Sequence, residues 1–220
     1  MLAADMNTSL EFFSRQFARQ IATADYALNP FEQAVLPHLQ GRVLDLGCGL
    51  GSLSIAAAER GHAVTAFDAC PHAVANLQRR ARARSLPIEA FAADLSEWRA
   101  DAEYDAVVAI GLLMFFSCEK AVRALGEIRR AVAAGGVVAV NVLIEGTTYM
   151  KMFDPQSHCL FKPDQLRQAF AGWTVLMDEV EEFPAESGEI KRFCTVIARR
   201  PATIQKRQIP GPVPCERSSA

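Results

Sequence analysis

The sequence predicts an α/β fold with a doubly wound, mostly parallel seven-stranded sheet that ends in an antiparallel C-terminal hairpin. Between Arg42 and Ile144, five short apolar runs alternate with helical segments, a pattern typical of parallel strands joined by crossover helices. After Pro163, a short helix precedes two strand-like runs at 173–180 and 192–199. The connection between these runs has no room for a crossover helix, so we expect the last two strands to be antiparallel.

Local signals give the elements in order. A first helix is expected over residues 7–21, because residues 8–11 offer a capping box and apolar residues recur there at helical spacing. Gly61 and the pair Gly135-Gly136 follow two later helices, and Pro71 opens the one between them. The alternating region is then expected to consist of strands at 42–46, 62–67, 88–92, 104–110 and 137–144 and helices at 53–60, 71–84 and 118–133.

Length and composition favour one sizeable domain. The chain has 220 residues, of which half are hydrophobic, and its formal net charge is −2. We expect an N-terminal helical cap at 1–40, a main domain at 41–200 and a disordered, proline-containing tail at 201–220. The small net charge argues against a nucleic-acid partner, and no apolar stretch is long enough to cross a bilayer. A small-molecule substrate and a monomer or homodimer are expected.

The cysteines predict a reducing environment. All six are scattered without C-x-x-C spacing, so neither a disulfide framework nor a metal site is expected, and a cytoplasmic location fits best. The sequence also begins without a basic region and apolar run of the secretory kind.

The strongest motif is VLDLGCGLG at residues 43–51, at the first strand–helix turn. Ligands of doubly wound sheets bind outside the carboxyl ends of the strands, where glycines let the backbone approach them closely. A dinucleotide site favours G-x-G-x-x-G, whereas these glycines fall at 47, 49 and 51. Asp45, at the strand end, can accept a hydrogen bond from an amino group of a ligand.

Two further acids follow successive strands. Asp68 closes the second strand, where a carboxylate can bind both hydroxyls of a ribose. Asp94 follows the third strand and can accept a hydrogen bond from an adenine amino group. Each acid alone is also typical of a helix N-cap or turn, but three in order at successive strand ends favour a nucleoside site.

With these motifs, residues 26–200 resemble the class I S-adenosylmethionine-dependent methyltransferases, which have a Rossmann-like fold. The run 43–51 is similar to the first motif of the family, Asp68 to its ribose acid and Asp94-Leu95 to its adenine-side acid. The resemblance implies S-adenosylmethionine as cofactor, with S-adenosylhomocysteine as product. The expected cofactor-binding residues are Asp45, Gly47, Cys48, Gly49, Asp68, Ala69, Asp94, Leu95, Ile110 and Tyr26, the last closing the site from the N-terminal side.

Within that class, the chain resembles the tellurite-resistance methyltransferase family. The resemblance rests on residues 113–115, 161–162, 166, 172–173, 190–193 and 198–199. One departure concerns the loop between the last two strands, where that family carries a His-Arg pair and this chain has Glu182-Phe183-Pro184. The departure argues against an oxyanion-like tellurium or selenium substrate.

The expected function is methyl transfer from S-adenosylmethionine to a small cytosolic acceptor. A thiol, a chalcogen compound such as tellurite or selenite, and a carboxylate stay open as acceptors. The alternative is a non-catalytic protein that senses S-adenosylmethionine. An NAD-dependent oxidoreductase is disfavoured by the glycine spacing, by Asp94 and by the C-terminal hairpin.

Candidate catalytic residues come from the regions after the fourth and fifth strands and from the hairpin. Tyr149 either binds the acceptor or is a solvated loop tyrosine. Arg192 either attracts an anionic substrate or forms a cross-strand salt bridge. The apolar run 112–116 is either a lid over the cofactor or part of the core, and His158 is a weaker acid–base candidate.

Overall fold

The computed structural model describes residues 8–202. Seven strands form one sheet, and six α-helices accompany them in this part of the chain. The strands are β1 (Arg42–Leu46), β2 (Ala63–Asp68), β3 (Ile88–Ala92), β4 (Tyr104–Ile110), β5 (Val132–Leu143), β6 (Thr174–Pro184) and β7 (Ile190–Arg199). The helices are α1 (Thr8–Ala22), α2 (Pro30–Val35), α3 (Ser52–Glu59), α4 (Pro71–Ala83), α5 (Cys118–Ala131) and α6 (Gln165–Ala169).

The sheet has the strand order β3-β2-β1-β4-β5-β7-β6. Strands β1 to β5 pair in parallel, and β7 pairs antiparallel with both β5 and β6. The predicted fold class is therefore confirmed. The strand order runs outward in one direction from β1 to β3 and in the other direction from β4, so the topological switch point lies between β1 and β4. Doubly wound sheets bind their ligands at such a point.

Each face of the sheet carries its own core, because side chains alternate along a strand. In β4, Ala106 and Val108 belong to the core on the side of α3 and α4. Val107 and Ala109 belong to the core on the side of α5. This two-sided burial explains why the central strands are apolar throughout, as the sequence indicated.

The structure departs from the predicted elements in three places. Strand β5 begins at Val132 rather than 137, so the glycine pair lies inside it and α5 ends at Ala131. The pairing of β4 with β5 shifts between Tyr104 and Ala106, which accommodates the extra residues as a bulge. Strands β6 and β7 are longer than expected, and α2 was not predicted. The predicted disordered tail at 201–220 lies outside the described residues except for its first two.

Cys118 and Cys159 form a disulfide, which corrects the expectation of none. Their Cα atoms are 4.7 Å apart although 41 positions separate them in sequence. Bridging depends on such proximity in space, which scattered spacing does not reveal. The expectation of a reducing cytoplasm loses the support that it drew from the cysteines. Within residues 8–202, no helix has the length and apolar character needed to span a membrane.

Candidate active site

A cavity of about 1040 Å³ opens at the carboxyl ends of the parallel strands. Its volume lies at the upper end of the range for small-molecule pockets. Its lining runs from the loop after β1, past the ends of β2 and β4, to α1, α2 and β7. One continuous space therefore joins the predicted cofactor loop to the N-terminal helix and the C-terminal hairpin.

The loop after β1 is tied to the end of β2. The backbone amides of Gly47 and Cys48 both donate to Phe67 O, at 2.8 and 3.0 Å, and Gly51 N donates to Cys48 O at 2.8 Å. Residue 51 must be glycine, because its φ is +71° and a Cβ there would lie 2.4 Å from a methyl carbon of Leu77. The glycine spacing thus lets α3 start close against α4.

Asp68 holds this loop with its carboxylate. Oδ2 accepts from Gly49 N and Oδ1 accepts from Cys70 N, both at 2.8 Å. Burial raises the pKa of Asp68, and these two backbone bonds oppose the rise. A carboxylate oxygen has two lone pairs, so each oxygen keeps one acceptor position for a ligand in the cavity.

Asp45 is buried beneath the loop, and its Oδ2 accepts from Ser54 Oγ at 2.5 Å. Burial, together with the charges of Glu32 and Asp68, raises the pKa of Asp45 to about 7, although the hydrogen bond from Ser54 lowers it. Burial also raises the pKa of Glu32, which lines the same cavity. This group of acids favours a ligand with a positive charge.

Asp94 lies at the other edge of the loop region and is exposed. Its Oδ1 accepts from Ser96 N at 2.8 Å and so caps the short 3₁₀ helix Leu95–Glu97. Lys120 also lines the cavity here and pairs with Glu97 at 2.9 Å. The charge of Lys120 is therefore already engaged within the protein.

Helix α1 covers part of the cavity. Phe17 sits over the loop, because a Cβ at Gly49 would lie 3.1 Å from its ring. Phe13 contacts Phe115 edge to face with ring centroids 5.0 Å apart, and Phe115 in turn lies 5.2 Å from Phe153. The helix thus closes over the site through aromatic contacts with the segments that follow β4 and β5.

The side of the cavity at β5 and β7 is formed by Asn141, Lys191 and Phe193, with Phe31 from α2. The rings of Phe31 and Phe193 have centroids 4.7 Å apart. Asn141 is 1 % exposed, and its Nδ2 donates to Thr195 Oγ1 at 2.9 Å. This side combines aromatic surface with one amide and one ammonium group.

Comparison with known proteins agrees with this geometry. Residues 43–136 match the family model described as a methyltransferase domain. The chain is 24% identical over 166 residues to a probable S-adenosyl-L-methionine-dependent methyltransferase, TehB, of Haemophilus influenzae, covering 72% of this chain and 57% of TehB. The chain contains a class I S-adenosylmethionine-dependent methyltransferase domain. The resemblance to that class, close to the tellurite-resistance family, is thereby confirmed.

Other relatives extend the comparison. Hemagglutinin 1 of Eikenella corrodens is 27% identical over 191 residues, covering 82% of this chain and 61% of that protein. The chain thus spans about three fifths of the length of these curated relatives. The crystal structure of H. influenzae TehB matches the methyltransferase domain with a TM-score of 0.70 at 20% identity, covering 87% of this chain and 67% of that one.

A Burkholderia thailandensis 1,6-didemethyltoxoflavin-N1-methyltransferase, solved with 1,6-didemethyltoxoflavin and S-adenosylhomocysteine, gives a TM-score of 0.63 at 21% identity. The match covers 91% of this chain and 92% of that one. At these identities the two solved structures establish the fold of the domain.

Most of the predicted cofactor-binding residues lie together in the methyltransferase domain. The cavity lining contains Asp45, Gly47, Cys48, Gly49, Asp68, Ala69, Asp94, Leu95 and Ile110. Tyr26 is not part of the described lining. Its ring lies 3.6 Å from the Arg80 guanidinium carbon, and its hydroxyl accepts from Asn76 Nδ2 at 3.3 Å. Its role as a cofactor contact stays a prediction.

The two predicted catalytic residues lie outside the described lining. Arg192 pairs with Glu182 at 2.7 Å across the hairpin, which is the salt-bridge alternative considered from sequence. Tyr149 is 7 % exposed, so it is not a solvated loop residue, and its ring lies 4.4 Å from Lys191 Nζ. A catalytic role for either residue stays a prediction.

Sequence reasoning missed Asn141 and Lys191 as cavity residues. Strand periodicity offered a signal for Lys191, because side chains of a strand alternate between the faces of the sheet. Lys191 and Phe193 therefore share one face while Arg192 lies on the other. No comparable signal pointed to Asn141, which is one residue in an otherwise apolar strand.

Proposed function

We propose that this protein transfers a methyl group from S-adenosylmethionine to a small molecule held in the same cavity. The observation that carries the proposal is the continuity of the cavity between two chemically different ends. The donor end consists of the glycine loop 47–51 with Asp45, Asp68 and Asp94. The acceptor end consists of Phe31, Phe193, Asn141 and Lys191.

The donor end fits the cofactor by its chemistry. The free lone pairs of Asp68 suit the two ribose hydroxyls. Asp45 and its acidic neighbours suit a cationic amino group. Asp94, with one oxygen capping a backbone amide, keeps its other oxygen for an adenine amino group.

The role of the protein in the reaction is to position and to exclude water. When bound, S-adenosylmethionine supplies an activated methyl group, whose transfer to the acceptor breaks the sulfonium carbon–sulfur bond and leaves S-adenosylhomocysteine. Helix α1 and Phe115 cover the cavity and limit the access of water to it. The aromatic acceptor end holds the partner molecule against the donor end, which favours transfer by proximity.

The acceptor classes proposed from sequence are a thiol, a chalcogen compound such as tellurite or selenite, and a carboxylate. The toxoflavin methyltransferase, solved with 1,6-didemethyltoxoflavin, supports a small organic acceptor. The alternative, a protein that senses S-adenosylmethionine without turnover, needs the donor end alone. An acceptor end with aromatic walls, one amide and one ammonium group favours the enzyme.

Calorimetric titration with S-adenosylhomocysteine, with NAD as the control ligand, tests the donor end. We expect binding of S-adenosylhomocysteine and none of NAD; the reverse would remove the proposal. Incubation with S-adenosylmethionine and a mixture of candidate acceptors then separates the two functions. Acceptor-dependent formation of S-adenosylhomocysteine identifies an enzyme, whereas binding without product across all three acceptor classes favours the sensor.

A further inference from the structure

Asn141 presents a buried hydrogen-bond acceptor to the cavity. Its Nδ2 is used by Thr195, but its Oδ1 is buried and accepts no hydrogen bond from the described residues. Leaving a buried acceptor unpaired costs about 1–3 kcal/mol. Asn76 Oδ1 is also buried and unpaired, but that side chain does not line the described cavity. At Asn141, a ligand in the cavity can supply the missing donor.

The sheet register places Asn141 at the boundary between the two ends. On one side it pairs with Ile110 of β4, which lines the cavity next to the donor end. On the other side it pairs with Thr195 of β7. A hydrogen-bond donor bound by Asn141 therefore lies where the acceptor molecule meets the cofactor.

Lys191 on β7 adds a positive charge to the hydrogen-bond acceptor of Asn141. It lies four residues from Thr195 on the same face, roughly 13 Å along the strand. No carboxylate of residues 8–202 forms an ion pair with it, whereas Lys151 pairs with Glu186 and Glu189 at 3.5 and 3.8 Å. Instead, the buried ring of Tyr149 lies 4.4 Å from Lys191 Nζ and holds the ammonium group by a cation–π contact.

Aromatic surface lies beside these two polar groups. Phe193 is two residues from Lys191 on the same strand face, and Phe31 packs against it. Phe183 completes this group with its ring centroid 5.5 Å from that of Phe31. Flat aromatic ligands pack well against such rings.

We propose that the methyl acceptor is a small aromatic compound with two further groups. An O–H or N–H group donates a hydrogen bond to Asn141 Oδ1, and an anionic group pairs with Lys191. This inference rests on the proposed function and narrows its acceptor class. The amide of Asn141 positions the O–H or N–H group and does not take its proton, which is released to water when that group is methylated. Tyr149 acts as a positioning residue for Lys191.

Binding of three simple probes to the protein saturated with S-adenosylhomocysteine tests the inference. The probes are 4-hydroxybenzoate, benzoate, which lacks the O–H group, and 4-hydroxybenzamide, which lacks the charge. Ligand-observed NMR titration gives their dissociation constants. We expect 4-hydroxybenzoate to bind about tenfold more tightly than either of the others.

Two variants assign these preferences to residues. Asn141→Leu should abolish the preference over benzoate, and Lys191→Met should abolish the preference over the amide. Lys151→Met is the matched control for Lys191→Met, because Lys151 lies outside the described lining, and it should keep both preferences. If Asn141→Leu does not fold, the three probes on the unmodified protein still decide the matter.

The possible failures are distinguishable. Absence of S-adenosylhomocysteine binding overturns the proposed function itself. Binding of S-adenosylhomocysteine without detectable 4-hydroxybenzoate binding, or with equal affinity for the three probes, overturns the inference alone. Retention of the carboxylate preference in Lys191→Met also overturns it.

Discussion

The two ends of the cavity satisfy their polar groups in different ways. At the donor end, the acids are bonded to groups close in sequence: Asp45 to Ser54, Asp68 to Cys70 and Asp94 to Ser96. At the acceptor end, Asn141 Oδ1 has no partner and Lys191 has no carboxylate among the described residues. The donor end is thus held in place by the protein, whereas the acceptor end keeps binding capacity for a ligand.

This difference indicates that the acceptor end, rather than the donor end, selects the ligand. Preorganised groups hold a ligand at little cost of reorganisation and suit a cofactor common to many enzymes. A site whose buried polar groups lack partners discriminates strongly between ligands that supply them and ligands that do not. The two ends should therefore respond independently to substitution, and the following predictions test that independence.

The largest expected effect is on stability and comes from the disulfide between Cys118 and Cys159. Closing a loop across 41 positions stabilises the folded chain by about 4 kcal/mol in the chain-entropy model. Cys118→Ser should lower the free energy of unfolding by about that amount, measured by urea denaturation. The same loss should appear when the unmodified protein is treated with a reductant.

The affinity of Cys118→Ser for S-adenosylhomocysteine should stay within about twofold of the unmodified value, because neither Cys118 nor Cys159 contacts the donor end. A large loss of that affinity would show that the donor end depends on the disulfide. A variant as stable as the unmodified protein would contradict the stabilising role of the disulfide.

Asp68→Asn should weaken S-adenosylhomocysteine binding about a hundredfold, because hydrogen bonds to a charged group contribute about 1.5–3 kcal/mol each. Calorimetric titration measures the loss. Asn is preferable to Ala here, because its single Oδ1 can still accept from one of the two backbone amides, Gly49 N or Cys70 N, that Asp68 receives. Asp94→Asn, at an exposed position, is the control and should lose about tenfold at most. Equal affinity in a folded Asp68→Asn protein would remove the ribose assignment.

The donor end could be predicted from the sequence, whereas the acceptor end could not. The donor end was predictable because its acids follow successive parallel strands, whose carboxyl ends must meet at one edge. The acceptor end combines Phe31 of α2 with Asn141 of β5, 110 positions later, and with Lys191 of β7, another 50 positions on, so no local sequence pattern predicts it. Charge alone does not distinguish Arg192 from Lys191, because the two residues lie on opposite faces of β7. A glycine pair is typical of a helix stop, but here it lies inside β5, which starts at Val132.

The pH dependence of cofactor affinity tests the charge of the donor end. Burial raises the pKa of Asp45 to about 7, so the free protein is largely protonated there below neutrality. A ligand amino cation favours the ionised carboxylate, and binding therefore releases a proton at low pH. The affinity for S-adenosylhomocysteine should rise by at most about tenfold between pH 6 and pH 7 and should level off above pH 7.

Asp45→Asn removes the titrating group and should flatten this profile in calorimetric titrations over the same pH range. An unchanged slope in the variant would assign the titration to another acid, with Glu32 the next candidate because burial raises its pKa too. A fall in affinity as pH rises would contradict the sign of the predicted linkage.

The smallest expected effect separates the two neighbouring cations of β7. Arg192 pairs with Glu182 on a partly exposed surface, and such ion pairs contribute about 0–1 kcal/mol. Arg192→Met should therefore change the free energy of unfolding by less than about 1 kcal/mol and leave the affinities for S-adenosylhomocysteine and 4-hydroxybenzoate unchanged. Lys191→Met, one residue away, should weaken the aromatic acid selectively. If Arg192→Met weakens binding of the aromatic acid instead, the substrate-binding role predicted for Arg192 is correct. The anionic group of the acceptor then lies on the face of the hairpin that carries Arg192, not on the face that carries Lys191.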